Sequence, residues 1–309
     1  MPAVISHYLL SERIYSSVKQ SVPELNIDHT AFMWGASGPD LFFLHRAMPW
    51  QHGDSLRTVG RVMHRTNAEY IINRFFSYSR KTRNDAAMSY TLGFITHYAL
   101  DSVCHPYILY LSSKMAERDP SRNESSFHHE IESALDTIFL KAEQNRCVNS
   151  FPLYSATPLD KTTNDAITGI YKDFLKYSAG CLVSDKKLMQ VQTDWYKSLK
   201  GLNDPYGIKH TLITEGERIL GLPPLLSPIL RSYHLDLSKD YANLRRGIWY
   251  SAIEDKYYND SFFDLVDRAA VLSFILIGKL LSGTPLTHSD CPLSFSGQPG
   301  EPPVANRAL

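Results

Sequence analysis

Cysteine, net charge and long apolar runs are all in short supply in this chain, and each shortage excludes something. The four cysteines, Cys104, Cys147, Cys181 and Cys291, show no CxxC spacing in 309 residues, which argues against a disulfide scaffold or a thiolate zinc knuckle. Thirty-two basic residues balance thirty-two acidic ones, so no global field points to nucleic acid or to an anionic membrane. The longest apolar run, residues 269–278, ends at Lys279 and is too short to span a bilayer, for which about 20 residues are needed. It fits a buried core helix. Polar Ser6, His7, Ser11, Glu12 and Arg13 stand where a secretory signal needs its apolar stretch, so the expectation is a cytoplasmic protein with reduced thiols. No β alternation, internal repeat or GxGxxG loop is evident, and the fold class expected is all-α.

What the chain does have is histidine in the right places. Nine of its twelve histidines precede residue 130, so any chemistry belongs to the first half. In HYALDSVCHP, His97, Asp101 and His105 are four residues apart. On a helix each such step turns only about 40°, so all three leave one face. HHEIESALD repeats the device with His128 and Glu132. Apolar residues around most of the first helix, Leu92, Phe94, Ile95, Leu100 and Ile108 among them, imply that it is buried. Buried carboxylates beside imidazoles cost several kcal/mol per ion unless a cation compensates. Mixed nitrogen and oxygen donors suit zinc.

A pass along the chain predicts an amphipathic helix over 4–22 that carries His7, a lone histidine at a surface or capping position by itself. Gly38 and Pro39 set a turn presenting Asp40, either an N-cap or a site residue. His45 and His52 follow in a loop. One long helix is expected over 55–79 with His64 in its middle, then the central helix, capped by Asn84 or Asp85. Pro106 should kink or end that helix at His105. Ser121 and Glu124 form a capping box for a helix running to about 144. Further helices are expected to end near 180 and to cover 184–199, 211–220, 240–256 and 260–282. The stretch 201–228 is otherwise irregular. The aromatic residues from Trp249 to Phe263 read as core. Residues 1–283 are expected to form a single domain, and 284–309, rich in Pro, Gly and Ser, a disordered tail.

Taken together and in order, SHYLLSERIY, SGPDLFF, VMH, YTLGFITHYALDSVCHPYI and HHEIESALD resemble the zinc-dependent phospholipase C family. Its relatives include the N-terminal domain of glycosylphosphatidylinositol-specific phospholipase D and, more remotely, P1-type nucleases. The resemblance covers roughly residues 1–145. It implies a multi-helix bundle around two or three zinc ions. Asp40, His64 and His97 would hold one ion, and His105, His128 and Glu132 another. Asp101 would bridge two, and His7 would serve the third with Asp101. Asp40 would also orient or deprotonate the attacking water. His45 or His52 competes with His64, and His129 with His128, although the H-x-x-I-E register favours His128. The implied activity is phosphodiester hydrolysis of phospholipase C or D type, with metal-activated water attacking a phospholipid phosphate and peripheral contact with a membrane surface. The alternatives are a nuclease or small-phosphoester hydrolase on the same core, or a metal-stabilised helical domain without catalysis; the balanced charge disfavours nucleic acid.

Overall fold

The computed structural model of the chain describes residues 4–48, 50–222, 227, 230, 235–236 and 238–303. The architecture is all-α. Helix α1 (Val4–Ser21) and the short α2 (His29–Gly35) lead into a tight 3-10 turn, Gly38–Leu44. They are followed by α3 (Arg57–Arg65), α4 (Ala68–Thr82), α5 (Asp85–Arg118) and α6 (Glu124–Gln144). Then come α7 (Lys161–Ala179), α8 (Asp185–Leu202), α9 (Ile208–Ile219) and, after a small hairpin, α10 (Phe262–Leu281). Among the described residues no helix is long and apolar enough to cross a membrane.

Helix α5 is the axis. Asn84 caps it by accepting the Ala87 N–H, and from Ala86 to Ile108 nearly every side chain is buried. Such an all-round apolar helix must be surrounded, and α1, α2, α4, α6, α7 and α10 all pack against it. Its crossing with α2 is a backbone contact: a Cβ on Gly93 would lie 1.9 Å from the Phe32 carbonyl oxygen. That closeness pushes the carbonyl end of α2 onto the face carrying His97. Below it, Phe75, Tyr90, Phe94, Tyr171 and Phe174 meet edge to face or tilted. Burial of each such ring stabilises by roughly 2–3 kcal/mol, and the cluster makes a rigid floor for the turn above.

Several expectations are corrected. The helix expected over 55–79 is two helices, because Thr66 is extended (ψ 147°) and bridges to Glu301. His64 therefore sits in the last turn of α3, not mid-helix. Helix α5 runs through Pro106 without ending; the buried proline is held by packing that outweighs its missing hydrogen bond. Asn123, not Ser121, caps α6 by accepting the Ser126 N–H. The helix expected over 240–256 is instead turns and an antiparallel hairpin, β1 (Trp249–Ser251) with β2 (Lys256–Tyr258). Trp249 is stacked on Tyr258 across that pair, the packing that aromatic residues prefer on strands. Helix α10 is buried on one face only, with Val271 and Ile275 exposed.

The largest departure is at the C-terminus. Residues 284–303, expected to be disordered, are packed: Leu286, Cys291 and Phe295 are buried, and Phe295 is fully inaccessible. Proline and glycine here shape a strap of turns across the helices, folded back on itself at the Leu293–Pro299 bridge. Residues 304–309 of the expected tail, and residues 223–226 and 228 of the irregular stretch, lie outside the described residues.

Candidate metal centre

Five separate segments deliver eight polar side chains to the middle of α5. His7 comes from the first turn of α1, Asp40 from the 3-10 turn and His64 from the end of α3. His97, Asp101 and His105 come from α5, and His128 and Glu132 from α6. They fall into three groups able to hold a metal: Asp40, His64 and His97; His7, His97 and Asp101; and His105, His128 and Glu132. Within each group the donor atoms lie within 4.8 Å of one another.

Local backbone chemistry explains the aim of three of the five rings. His64 Nδ1 lies 2.7 Å from the Gly60 carbonyl, His97 Nδ1 2.9 Å from that of Ala36, and His105 Nδ1 2.7 Å from that of Phe295. A carbonyl oxygen only accepts, so each Nδ1 carries the proton, and a neutral ring turns its Nε2 lone pair inward. Those lone pairs face carboxylates. His64 Nε2 is 3.0 Å from Asp40 Oδ1, and His97 Nε2 is 3.0 Å from Asp101 Oδ2. Two acceptors at that distance repel unless a proton or a cation lies between them. The fully buried His97 Nε2 has no hydrogen-bond partner. His7 Nε2 approaches Asp101 Oδ1 at 3.2 Å, and His128 Nε2 approaches Glu132 Oε1 at 3.2 Å. The donor set therefore fits zinc, which takes imidazole and carboxylate ligands whose second ring nitrogen is fixed by a backbone carbonyl.

Charge points the same way. Burial by itself would push the carboxyls of Asp101 and Glu132 up. Positive charge on His97 and His105 instead holds Asp101 well below its usual range, the same service a bound cation would render. His128 and His105 do the same for Glu132. His7 and His97 are stacked at 4.1 Å and cannot both be charged. His7 is pushed down by burial and then by His97, while His97, in spite of burial, is pulled up by Asp101. Three ionised carboxylates gathered in a buried space call for compensating cations.

Gly38 allows the Asp40 turn to lie over this cluster. Its φ is +52°, and a Cβ there would lie 2.2 Å from the His97 ring. A cavity of about 530 Å³ opens on the other side, with Asp40, Asp101 and Glu132 at its floor and Phe43, Val62, Met63, Leu109 and Phe174 in its walls. Arg61, Arg65 and Glu301 lie at the same cavity.

His45 and His52, the alternatives to His64, lie in none of the groups. His45 Nδ1 accepts the Leu56 N–H at 2.8 Å, and His52 is exposed. His129 Nδ1 stands 3.7 Å from Glu132 Oε2 and is also outside the groups. Sequence reasoning missed two contributors. Buried Asp136 accepts hydrogen bonds from the Ile5 and Ser6 amides and the Ser6 hydroxyl, which anchors the first turn of α1. The other is Phe295, whose ring lies against His64 and His97. Asp136 stands one turn beyond Glu132, and that spacing was the available signal; nothing local marks Phe295.

Comparison with curated proteins and with solved structures gives no significant match. A family model described as zinc-dependent phospholipase C matches residues 6–198, a span that holds all eight clustered residues. The match covers more than half of the chain, and the chain belongs to the zinc-dependent phospholipase C family.

Proposed function

We propose that the chain hydrolyses phosphodiesters, with phospholipids as the substrate class, using two or three zinc ions held by the eight clustered side chains. Asp40, His64 and His97 hold one ion, His105, His128 and Glu132 a second, and His7 with Asp101 a third. Asp101, within 3.2 Å of both His7 and His97 and 3.8 Å from His105, is the carboxylate that serves two. Bound zinc supplies positive charge to the phosphate oxygens and makes water nucleophilic near neutral pH. The backbone carbonyls at residues 36, 60 and 295 keep three imidazoles in the tautomer that presents Nε2. Asp40, whose carboxylate lies 3.0 Å from His64 Nε2, takes the proton of the attacking water. The apolar cavity wall shields the reacting phosphate from bulk solvent and receives hydrocarbon.

The observation that carries this reading is the set of inward-facing Nε2 atoms and buried carboxylates at the floor of an apolar cavity. That wall favours a lipid over a nucleic acid, which needs a basic groove. Metal analysis of the purified protein is expected to give at least two zinc ions per chain. Hydrolysis is expected to be faster for glycerophospholipids than for oligonucleotides or small aryl phosphodiesters, and product analysis assigns the C or D bond. Asp101→Asn removes one charge with little change of shape, so zinc content and hydrolysis should fall together, hydrolysis by at least 100-fold, while His129→Ala keeps both. Less than one metal per chain after zinc reconstitution, or full metal and activity in Asp101→Asn, would overturn the assignment.

A further inference from the structure

The C-terminal strap lies outside the 6–198 span that the family model matches, yet it reaches a histidine in each of the three candidate metal groups. At His105 the contact is a backbone hydrogen bond, Nδ1 to the Phe295 carbonyl at 2.7 Å. At His64 it is twofold: the Ser296 N–H donates to the His64 carbonyl at 3.1 Å, and the Phe295 ring lies 6.0 Å from the imidazole. The same ring stands 5.9 Å from His97. The strap is tied on both sides of these contacts. Upstream, the Tyr98 hydroxyl donates to the Leu293 carbonyl at 3.0 Å. Downstream, the Glu301 N–H donates to the Arg65 carbonyl at 2.7 Å, and the Asn67 N–H to the Glu301 carbonyl at 2.9 Å. The break between α3 and α4 that leaves His64 at a helix end falls at this second tie.

We infer that residues 293–301 are a positioning element of the metal centre: the Phe295 carbonyl fixes the tautomer and direction of His105, and the strap holds His105 and His64 in a fixed relation across the cavity. This rests on the zinc reading above. Without the Phe295 carbonyl, the His105 proton could move to Nε2, the nitrogen that faces Glu132 at 3.8 Å, and the lone pair would then point away from His128 and Glu132. Gly297 is the hinge of the contact. Its φ is +69°, and a Cβ there would lie 2.5 Å from His105 Cβ and 3.1 Å from Pro106 Cδ. Any larger residue must therefore lift the strap away from His105.

Zinc affinity of the parent, Gly297→Val, Gly297→Ala and Leu286→Ala is measured by competition with a chromophoric chelator well below each melting temperature, beside visible spectra of the cobalt-substituted proteins. Leu286 is buried in the same C-terminal segment, its backbone is bonded to the Asn73 side chain, and it belongs to none of the candidate metal groups, so its variant controls for lost stability. The glycine variants are expected to weaken one zinc equivalent by about 10–100-fold, the usual effect of losing a ligand's outer partner, and to change the cobalt spectrum. Leu286→Ala keeps the parent's affinity and spectrum. A long-range proton–nitrogen correlation on the parent needs no variant and should find the His105 proton on Nδ1. Parent-like affinity and spectrum in folded Gly297 variants, or a parent His105 protonated on Nε2, would overturn the positioning role. A parent that binds no zinc would overturn the metal reading instead.

Discussion

At the scale of single residues, ring nitrogens in this protein are assigned by what they face, and His45 makes the point outside the cluster. It is fully buried, and its Nδ1 accepts the Leu56 N–H at 2.8 Å just ahead of α3. It must therefore be neutral at that nitrogen. Burial, which Asp194 partly offsets and the nearby cations Arg46, Lys187 and Arg57 reinforce, pulls it down to about 4 from its ordinary 6.5. Between those values the unfolded chain takes up a proton that the folded chain refuses. The stability this group contributes is thus present above pH 6.5 and is lost as pH falls towards 4. His45→Asn keeps an acceptor near the Leu56 amide but does not titrate. Thermal melts from pH 7 to pH 4.5 should show the parent losing roughly 1–2 °C more than this variant, the scale set by about 1 kcal/mol in a chain of this size. Parallel curves for the two proteins would show that His45 is not the titrating group.

At the scale of elements, the site depends on how helix ends are fixed, and α1 is the clearest case. A helix start leaves its first amides unpaired, and here the fully buried Asp136 accepts two of them, at 3.1 Å and 2.7 Å. Hydrogen bonds to a charged acceptor contribute roughly 1.5–3 kcal/mol each, and this pair seats His7. Asp136→Asn replaces one acceptor oxygen with a donor, so the amides of residues 5 and 6 should exchange at least tenfold faster while the core of α5 keeps its protection; unchanged exchange at residues 5 and 6 would remove the anchoring role. Elements whose signals are local were legible in the sequence. The spacing of His97, Asp101 and His105 placed them on one face, and the cap at Asn84 and the helix expected from 184 correspond to helix starts that the structure has. Elements set by distant partners were not. The break at Thr66 is marked locally by the T-x-x-E spacing of Thr66 and Glu69, a weak signal beside the partner that fixes it, the Glu301 backbone 235 residues further along. The helix expected over 240–256 failed likewise, since Trp249 finds Tyr107 on α5 as well as Tyr258 on the hairpin. Proline and glycine after 283 suggest disorder by composition, yet the same residues suit a strap of turns that bonds partly to itself, as in Ser294 N–H to the Gln298 carbonyl, and partly to α3 and α5.

At the scale of the whole molecule, the cluster is a meeting point of α1, the Asp40 turn, α3, α5, α6 and the C-terminal strap, so it is a cross-link of the fold as well as a site. The grouping of His105 with His128 and Glu132 could be anticipated from two helices close in sequence. The approach of His7 to Asp101, and of Phe295 to three histidines of the cluster, is a property of the assembled chain only. Three ionised carboxylates, Asp40, Asp101 and Glu132, are each less than 9% exposed there. Without compensating charge their repulsion and lost hydration would oppose this meeting of segments, and a cation held there would bind them together. Binding free energies of structural zinc are on the order of 10 kcal/mol, comparable to the whole stability of a typical domain at about 5–15 kcal/mol. Removal of zinc by a strong chelator, verified by elemental analysis, is accordingly expected to lower the melting temperature by roughly 10 °C or more. Zinc added back should restore it, whereas magnesium, which prefers all-oxygen octahedral sites, should not. A verified metal-free protein that melts where the zinc-loaded one does would mean that the eight residues are not coupled to the core that gathers them.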